Sequence, residues 1–264
     1  MYAKPLMETE QLAMKKQKMF RQSRMRFLAR AILAGGFIGI GVIVAFKTGN
    51  YFYLEHSPVA YPIAALTFSA AILLIAFGGG DLFTSNTYYY SFAALRKRMS
   101  WRDAFTMCGY SYAGNFIGAC AFAFLIFGTG LLDDASANSF LLSVAEKKMN
   151  APAGELFFRG ILCNWLVCMA FFIPMALKGD GPKIFIMIFF VFCFFVSGYE
   201  HSIANMGTFA IALGLDHPET ISIGAALHNL IPVTIGNIVG GAVMVSCVYL
   251  YMNKPLLMEE TDQE

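Results

Sequence analysis

The sequence is poor in charged residues and has no large excess of either sign. Only 14% of its 264 residues are charged and 58% are hydrophobic, whereas a soluble domain carries about 25% charged residues. The formal net charge of +2 is too small to predict a nucleic-acid partner. These shortages exclude an ordinary soluble domain and predict a chain embedded in a lipid bilayer.

Patterns for metals, disulfides and cofactors are also missing. All six cysteines lie inside apolar runs, and the pair Cys163 and Cys168 does not have the CxxC spacing. We therefore predict buried thiols, with no metal site, no disulfide framework and no cofactor.

Long hydrophobic runs are what the sequence does contain. A helix needs about 20 apolar residues to cross a bilayer, and six runs qualify. The second and fifth runs are interrupted in the middle by glycine and polar residues. We predict an all-α polytopic membrane protein with six transmembrane helices, of which helices two and five are broken at mid-membrane. The runs are Phe27–Phe46, Pro62–Phe92, Ala104–Leu132, Leu156–Leu177, Ile184–Leu213 and Ile221–Met252.

Lysine and arginine concentrate before the first run and in the loops after runs two and four. Because cytoplasmic loops are enriched in these residues, the pattern predicts that both termini are cytoplasmic. Residues 1–25 form a basic segment, either an amphipathic helix on the membrane surface or a frayed tail. Residues 26–253 form the six-helix membrane domain, and residues 254–264 form an acidic cytoplasmic tail.

Three local patterns occur twice, in the same order, in the two halves of the chain. An internal repeat of three spans must enter the membrane from opposite sides, so we predict two inverted three-helix repeats. In such architectures the substrate site lies near the midplane, at helices broken in corresponding positions. The paired segments are 27–30 with 156–159, 79–86 with 198–205, and 114–118 with 236–240.

The two predicted breaks contain Gly79 and Asp81 in one half and Gly198 and Glu200 in the other. Non-helical backbone at membrane depth is tolerated only where it is buried in protein or lines a cavity. Half-helix N-termini exposed by a break attract anions. We interpret the two acids as structural acceptors for the freed N–H groups, with cation binding as the alternative.

His201 lies beside the second break. An ionisable residue at membrane depth predicts a functional role. Its neutral ring can donate a hydrogen bond to a passing anion, and because imidazole titrates near physiological pH it can also protonate the anion.

At these motifs the sequence resembles the formate/nitrite transporter family, and its hydrosulfide channel branch most. The motifs are residues 76–85, 160–170 and 229–237, in order, with Met169 where the family has Leu or Val. The resemblance covers all six predicted spans. It implies an aquaporin-like protomer, a homopentamer with one pore per protomer, and a bacterial-type cytoplasmic membrane.

The resemblance also implies a pore lining with two apolar constrictions around a central histidine. The alternative interpretation of Lys148 is a solvated charge in a loop. The alternative interpretation of Phe68 and Phe194 is ordinary packing in the core. The implied residues are Leu82 and Ile72 at the cytoplasmic constriction, Phe68 and Phe194 at the periplasmic constriction, Thr84, His201 and Asn164 between them, and Lys148 near the extracellular mouth.

The resemblance favours a channel for a small monovalent anion, namely hydrosulfide, formate or nitrite. A proton-coupled symporter using His201 as proton donor is the alternative. The absence of an Asn-Pro-Ala sequence argues against a water or glycerol channel. A hydrolase using Ser197 or Ser202 with His201 is disfavoured, since no serine-protease motif surrounds them and adjacent helical residues point apart. We predict that the protein is not an enzyme.

Overall fold

The computed structural model describes residues 3–261, and its side chains are described from residue 4 to residue 254. Every regular element within this range is helical. A short 3-10 turn precedes α7, and an eight-residue π-helical segment, Gly240–Cys247, joins α11 to α12. The helices are α1 Ala3–Gln22, α2 Arg24–Leu54, α3 Ala60–Phe68, α4 Ala70–Gly78, α5 Phe83–Leu95, α6 Trp101–Phe127, α7 Ser139–Met149, α8 Ala153–Met175, α9 Asp180–Val196, α10 Ser202–Ala212, α11 Ile223–Val239 and α12 Val248–Thr261.

Five helical stretches within the described residues are long and apolar enough to cross a membrane. They correspond to the first, second, third, fourth and sixth predicted runs. The predicted fifth run is divided between α9 and the short apolar helix α10, so the count of six spans stays a prediction. The five stretches are Arg24–Leu54, Ala60–Gly78, Trp101–Phe127, Ala153–Met175 and Ile223–Lys254.

Serine side chains begin three of the long helices. Ser23 Oγ accepts a hydrogen bond from the Arg26 amide at 3.3 Å, and Ser100 Oγ accepts one from the Asp103 amide at 3.0 Å. Ser222 does the same for α11. Each hydroxyl satisfies an amide that has no partner inside its own helix.

Two helices stop and restart after a left-handed glycine. Between α4 and α5 the backbone turns at Gly79, with φ of 77°, and between α9 and α10 it turns at Gly198, with φ of 72°. Glycine adopts this conformation without the strain of a Cβ. The second predicted run has a further interruption at Ser69, whose hydroxyl donates to the Ile188 carbonyl at 3.2 Å.

Glycines bring α2 against α6 and α8 against α11. A Cβ added at Gly118 would overlap the Ile32 carbonyl oxygen, and one at Gly236 would overlap the Phe157 carbonyl oxygen. Membrane helices approach closely through such small residues. The same device therefore fixes one helix pair in each half of the molecule.

The N-terminal segment is helical from residue 3 to residue 22, and the frayed-tail interpretation is wrong for these residues. Leu6, Ala13 and Phe20 are buried with the tyrosines of α5 in one core cluster. The apolar stripe of α1 thus faces protein. At the other end of the chain, α12 continues to Thr261, and residues 262–264 of the predicted tail lie outside the described residues.

Candidate permeation site between the two helix breaks

The two helix breaks meet at one polar contact. Thr84 Oγ1, in the first turn of α5, lies 3.0 Å from Nε2 of His201, the N-cap residue of α10. Thr84 is 0% exposed and His201 is 4% exposed. The contact therefore joins the two halves of the molecule inside its core.

Hydrogen bonding fixes the proton on the His201 ring. Nδ1 accepts a hydrogen bond from the Ala204 amide at 3.0 Å, so the proton of the neutral ring is on Nε2. Nε2–H then donates to Thr84 Oγ1. The Thr84 hydroxyl hydrogen finds no acceptor among the described residues, which leaves it able to donate to a ligand.

Asn164 holds the Thr84 segment against the second half. Its Nδ2 lies 3.1 Å from the Thr84 carbonyl oxygen, 2.9 Å from Thr87 Oγ1 and 2.6 Å from the Asn237 carbonyl oxygen. Its Oδ1 is buried and has no hydrogen-bond partner among the described residues. Asn164 therefore positions Thr84 and carries a free acceptor near it.

Apolar rings enclose one side of the contact. The Phe194 ring is stacked on the His201 ring at a centroid distance of 5.8 Å, and Phe68 meets Phe194 edge-on at 6.3 Å. Phe68 and Phe194 are each 3% exposed. The space lined by Phe68, Phe194 and His201 is about 20 Å³, enough for one water-sized particle.

Two further apolar side chains that the sequence implied for a constriction are buried near the first break. Leu82 is the N-cap residue of α5 and is 2% exposed. Ile72, one helical turn after Phe68, is buried in the same core cluster. The larger cavity beside the first break is lined by Ile75 and Ala76 of α4 and not by Ile72.

The Asn115 side chain stabilises the first break through hydrogen bonds. Its Oδ1 accepts a hydrogen bond from the Phe83 amide at 2.9 Å. Its Nδ2 donates to the carbonyl oxygens of Ala31 at 2.8 Å and Asp81 at 2.9 Å. One side chain thus satisfies two backbone groups of the break, the Phe83 amide and the Asp81 carbonyl, and links them to the continuous helix α2 through Ala31.

Asn237 makes the same three bonds in the second half. Its Oδ1 accepts from the Ser202 amide at 2.9 Å, and its Nδ2 donates to Gly160 O at 2.8 Å and Glu200 O at 2.9 Å. The prediction that the two acids accept the freed amides is therefore wrong. Asparagine side chains on α6 and α11 do so, because they lie directly beside the breaks.

The two acids bind side chains instead. The Asp81 carboxylate accepts hydrogen bonds from Asn86 Nδ2 and, at 2.8 Å, from Ser111 Oγ, and it pairs with Lys16 Nζ at 3.0 Å. A buried charge needs such a partner. Since the lysine occupies the carboxylate, the cation-binding alternative has no support.

Glu200 repeats this arrangement. Its carboxylate accepts from Asn205 Nδ2 at 2.6 Å and pairs with Lys148 Nζ at 2.9 Å. The Lys148 side chain is 15% exposed, so its interpretation as a solvated loop charge is wrong. No group of three or more metal-ligating side chains occurs in the described part of the chain.

Sequence reasoning missed the partners of both acids and the helix that carries one of them. Lys16 and Lys148 each follow another lysine, on the helix that precedes the first long helix of its half. A carboxylate predicted at membrane depth requires a cation, and that requirement together with the repeated Lys-Lys pair could have identified them.

The structure does not contain the serine–histidine hydrogen bond that the hydrolase alternative requires among its described residues. The two ring nitrogens of His201 are occupied by the Ala204 amide and by Thr84. Neither Ser197 nor Ser202 is hydrogen-bonded to the ring within the described structure. A serine nucleophile would need that hydrogen bond to its base.

The chain is similar to known membrane transporters over almost its whole length. A family model described as "Formate/nitrite transporter" matches residues 6–251. A Bacillus subtilis (strain 168) protein named "Uncharacterized transporter YwcJ" is 57% identical over 253 residues, covering 96% of this chain and 99% of the relative.

Two solved structures are similar over almost their whole length. An "FNT family ion channel" superposes with a TM-score of 0.87 at 30% identity, covering 94% of this chain and 98% of that one. A "Pentameric formate channel with formate bound" superposes with a TM-score of 0.76 at 26% identity, covering 88% and 98%.

Proposed function

The chain belongs to the formate/nitrite transporter family, and on this premise we propose that it is a passive channel for a small monovalent anion, with hydrosulfide preferred. The observation that carries the proposal is the Thr84–His201 contact at 3.0 Å between the two helix breaks. His201 lines a buried space with apolar walls, and the Thr84 hydroxyl hydrogen beside it has no acceptor among the described residues.

The donors replace part of the water that a permeating anion loses. His201 Nε2–H donates to Thr84 Oγ1, which orients the Thr84 hydroxyl hydrogen toward a ligand. Hydrogen bonds to an ionised acceptor are roughly twice as strong as those between neutral groups. The pair therefore favours an anion over a cation or a neutral solute of the same size.

The size of the space supports hydrosulfide. Beyond His201 the space is about 20 Å³, which suits a particle close to a water molecule in size. Hydrosulfide has one heavy atom, whereas formate and nitrite each have three. Passage of the larger anions requires Phe68, Phe194 or Leu82 to move, so we propose that they permeate more slowly.

The His201 hydrogen bonds favour a channel over a proton-coupled symporter. To donate a proton and remain neutral, the ring would first have to be protonated on both nitrogens. Nδ1 already accepts the Ala204 amide at 3.0 Å, and protonation would replace this bond with two opposed N–H groups. The ring therefore serves as a hydrogen-bond donor that keeps its own proton.

The family and the surface support a proposal for assembly and location. The similar formate channel is described as pentameric, and we propose a homopentamer with one pore per protomer. Large apolar side chains such as Phe124 and Tyr251 are 79% and 85% exposed, as expected for residues facing lipid. The distribution of lysine and arginine supports the proposal that both termini lie in the cytoplasm, at a bacterial-type cytoplasmic membrane.

Uptake into proteoliposomes tests the proposal. Hydrosulfide, formate and nitrite are offered separately, with the membrane potential clamped and with or without a protonophore. We expect uptake that follows the membrane potential, needs no pH gradient and is fastest for hydrosulfide. Uptake that ignores the potential and follows the pH gradient would instead establish the proton-coupled symporter.

A further inference from the structure

A second cavity lies beside the first break, where α1 crosses α5, and the permeation site does not account for its size. Its volume is about 460 Å³, compared with about 20 Å³ for the space beyond His201. Pockets for small organic molecules measure about 300–1,000 Å³. We call this cavity the first-break vestibule. The residues that matter here are Glu8, Lys15, Lys16, Arg30, Asp81 and Lys183.

The first-break vestibule has an excess of positive charge. Four basic and two acidic side chains line it, which leaves a formal charge of +2. Both acids already have a lysine partner, since Asp81 pairs with Lys16 at 3.0 Å and Glu8 lies 3.9 Å from Lys4. The cations left over come from three different helices and make no side-chain hydrogen bond or ion pair with another described residue. They are Lys15 of α1, Arg30 of α2 and Lys183 of α9.

The second break has an equivalent cavity with fewer unpaired cations. This second-break vestibule measures about 180 Å³ and is lined by Lys147, Lys148, Arg159 and Glu200. Its arginine is neutralised by Glu155 at 2.5 Å. The position four residues before Arg30, which corresponds to Glu155, holds Arg26. Lys148 pairs with Glu200, which leaves Lys147 as the unpaired cation of the second-break vestibule among the described residues. The first-break vestibule thus has three unpaired cations against one, and the larger volume.

We propose that the first-break vestibule binds an anion that carries a phosphate group, and that the bound anion obstructs permeation. A guanidinium binds phosphate oxygens through two parallel hydrogen bonds, and lysines add point charges. A volume of about 460 Å³ accommodates a phosphate with a small organic substituent. Because Gly80 and Asp81 line the cavity directly before Leu82, an occupant lies at the mouth of the proposed pore.

Binding is measured on the purified full-length protein, so that this step does not depend on transport. The probe is inorganic phosphate, titrated at constant ionic strength against chloride, and the readout is the thermal unfolding temperature in a neutral detergent. We expect a saturable rise in Tm with phosphate. The titration is repeated with phosphatidylglycerol micelles. A rise with free phosphate assigns a soluble ligand, and a rise only with the lipid assigns a headgroup.

Matched variants locate the site. Arg30→Gln and Lys183→Gln are each expected to weaken the apparent phosphate affinity about tenfold, the effect of one lost charge-assisted hydrogen bond. Arg30→Lys retains the charge and is expected to restore part of the affinity. Arg159→Gln, the equivalent change in the second-break vestibule, is expected to leave it unchanged. Equal weakening by Arg30→Gln and Arg159→Gln, or no phosphate response above chloride, would overturn the site.

Obstruction is tested in membrane vesicles of defined orientation, and this arm rests on the proposed anion channel. Phosphate on the side of the first-break vestibule is expected to slow hydrosulfide flux, and phosphate on the opposite side is not. Arg30→Gln is expected to keep its flux in the presence of phosphate. Binding without any effect on flux would contradict obstruction alone, whereas absence of flux in every sample would contradict the channel and leave the binding result standing.

Discussion

The two halves of the molecule share one scaffold and differ in the residues that it presents. Asn115 and Asn237 make the same three hydrogen bonds, and an acid paired with a lysine stands beside each break. At the N-cap of the restarted helix, however, one half has Leu82 and the other has His201. The repeat therefore supplies the shape of the site, and departures from it supply the chemistry.

Two further positions follow this rule. Thr84 corresponds to the buried Ile203 in the second half, and Asn164 corresponds to Gly35 in the first. Gly35 packs directly on the Asn115 carbonyl oxygen, whereas Asn164 reaches across to Thr84. The three polar side chains of the proposed permeation site, His201, Thr84 and Asn164, thus lie at positions where the two halves differ in sequence.

Removing the break asparagines is expected to have the largest effect. Asn115→Leu and Asn237→Leu each leave one backbone amide and one carbonyl group of a break without their partner, at about 1–3 kcal/mol for each unsatisfied group. Thermal unfolding in detergent measures the loss. If the scaffold is shared, both variants unfold at similarly reduced temperatures. A normal Tm for one of them would show that the two breaks are held differently.

The buried ion pairs come next. Lys16→Met and Lys148→Met each leave a buried carboxylate without its cation, which costs about 3–5 kcal/mol. The double change Lys148→Met with Glu200→Gln removes both charges and is expected to recover part of the stability. Chemical unfolding of the three variants provides the comparison. No recovery in the double variant would contradict a simple charge pairing.

Changes at the permeation site are expected to affect flux more than stability. His201→Asn retains an oxygen able to cap the Ala204 amide but lacks the Nε2–H donor. Losing about 1–3 kcal/mol of interaction with the anion slows hydrosulfide flux about ten- to hundredfold. Thr84→Ala is expected to act similarly and Thr84→Ser to restore the flux.

Ile203→Val, at the position equivalent to Thr84, is the control for these flux measurements. It changes the same part of the repeat without touching a donor, so its flux should match that of the unmodified protein. A loss of flux as large as that of Thr84→Ala would indicate a packing effect and remove the argument for the Thr84 hydroxyl.

The smallest expected effect concerns the left-handed glycines. Gly79→Ala and Gly198→Ala place a Cβ at φ of 77° and 72°, which costs about 1–2 kcal/mol. A Cβ at Gly198 meets nothing within 4 Å, and one at Gly79 meets only the end of Arg30 at 3.8 Å. The two variants should therefore lose equal stability in thermal unfolding, and a clear difference would separate the two breaks.

Features that depend on local sequence were predictable. The glycines at 79 and 198 indicated where the helices stop, and the repeated motifs 114–118 and 236–240 indicated a duplicated scaffold. The motifs did not indicate what their asparagines bind, because Asn115 acts on Phe83, 32 residues away. Such a bond depends on which helices become neighbours, and single-chain periodicity does not report that.

The helix α7 and the role of Lys148 escaped prediction for a related reason. Ser139–Met149 is short and contains Glu146, Lys147 and Lys148, so its hydropathy is that of a loop. Its stability comes from tertiary contacts, including the Lys148–Glu200 pair at 2.9 Å. Short helices with little intrinsic stability depend on such packing.

The reversal potential of the current tests the central proposal most directly. The protein is inserted into a planar bilayer with a tenfold hydrosulfide gradient, equal pH on both sides and an impermeant anion as balance. A passive channel for a monovalent anion predicts a current that reverses at about 59 mV in magnitude, which is the equilibrium potential for a tenfold gradient of a singly charged ion. Hydrosulfide flux without current would show that a proton accompanies the anion and would contradict the channel.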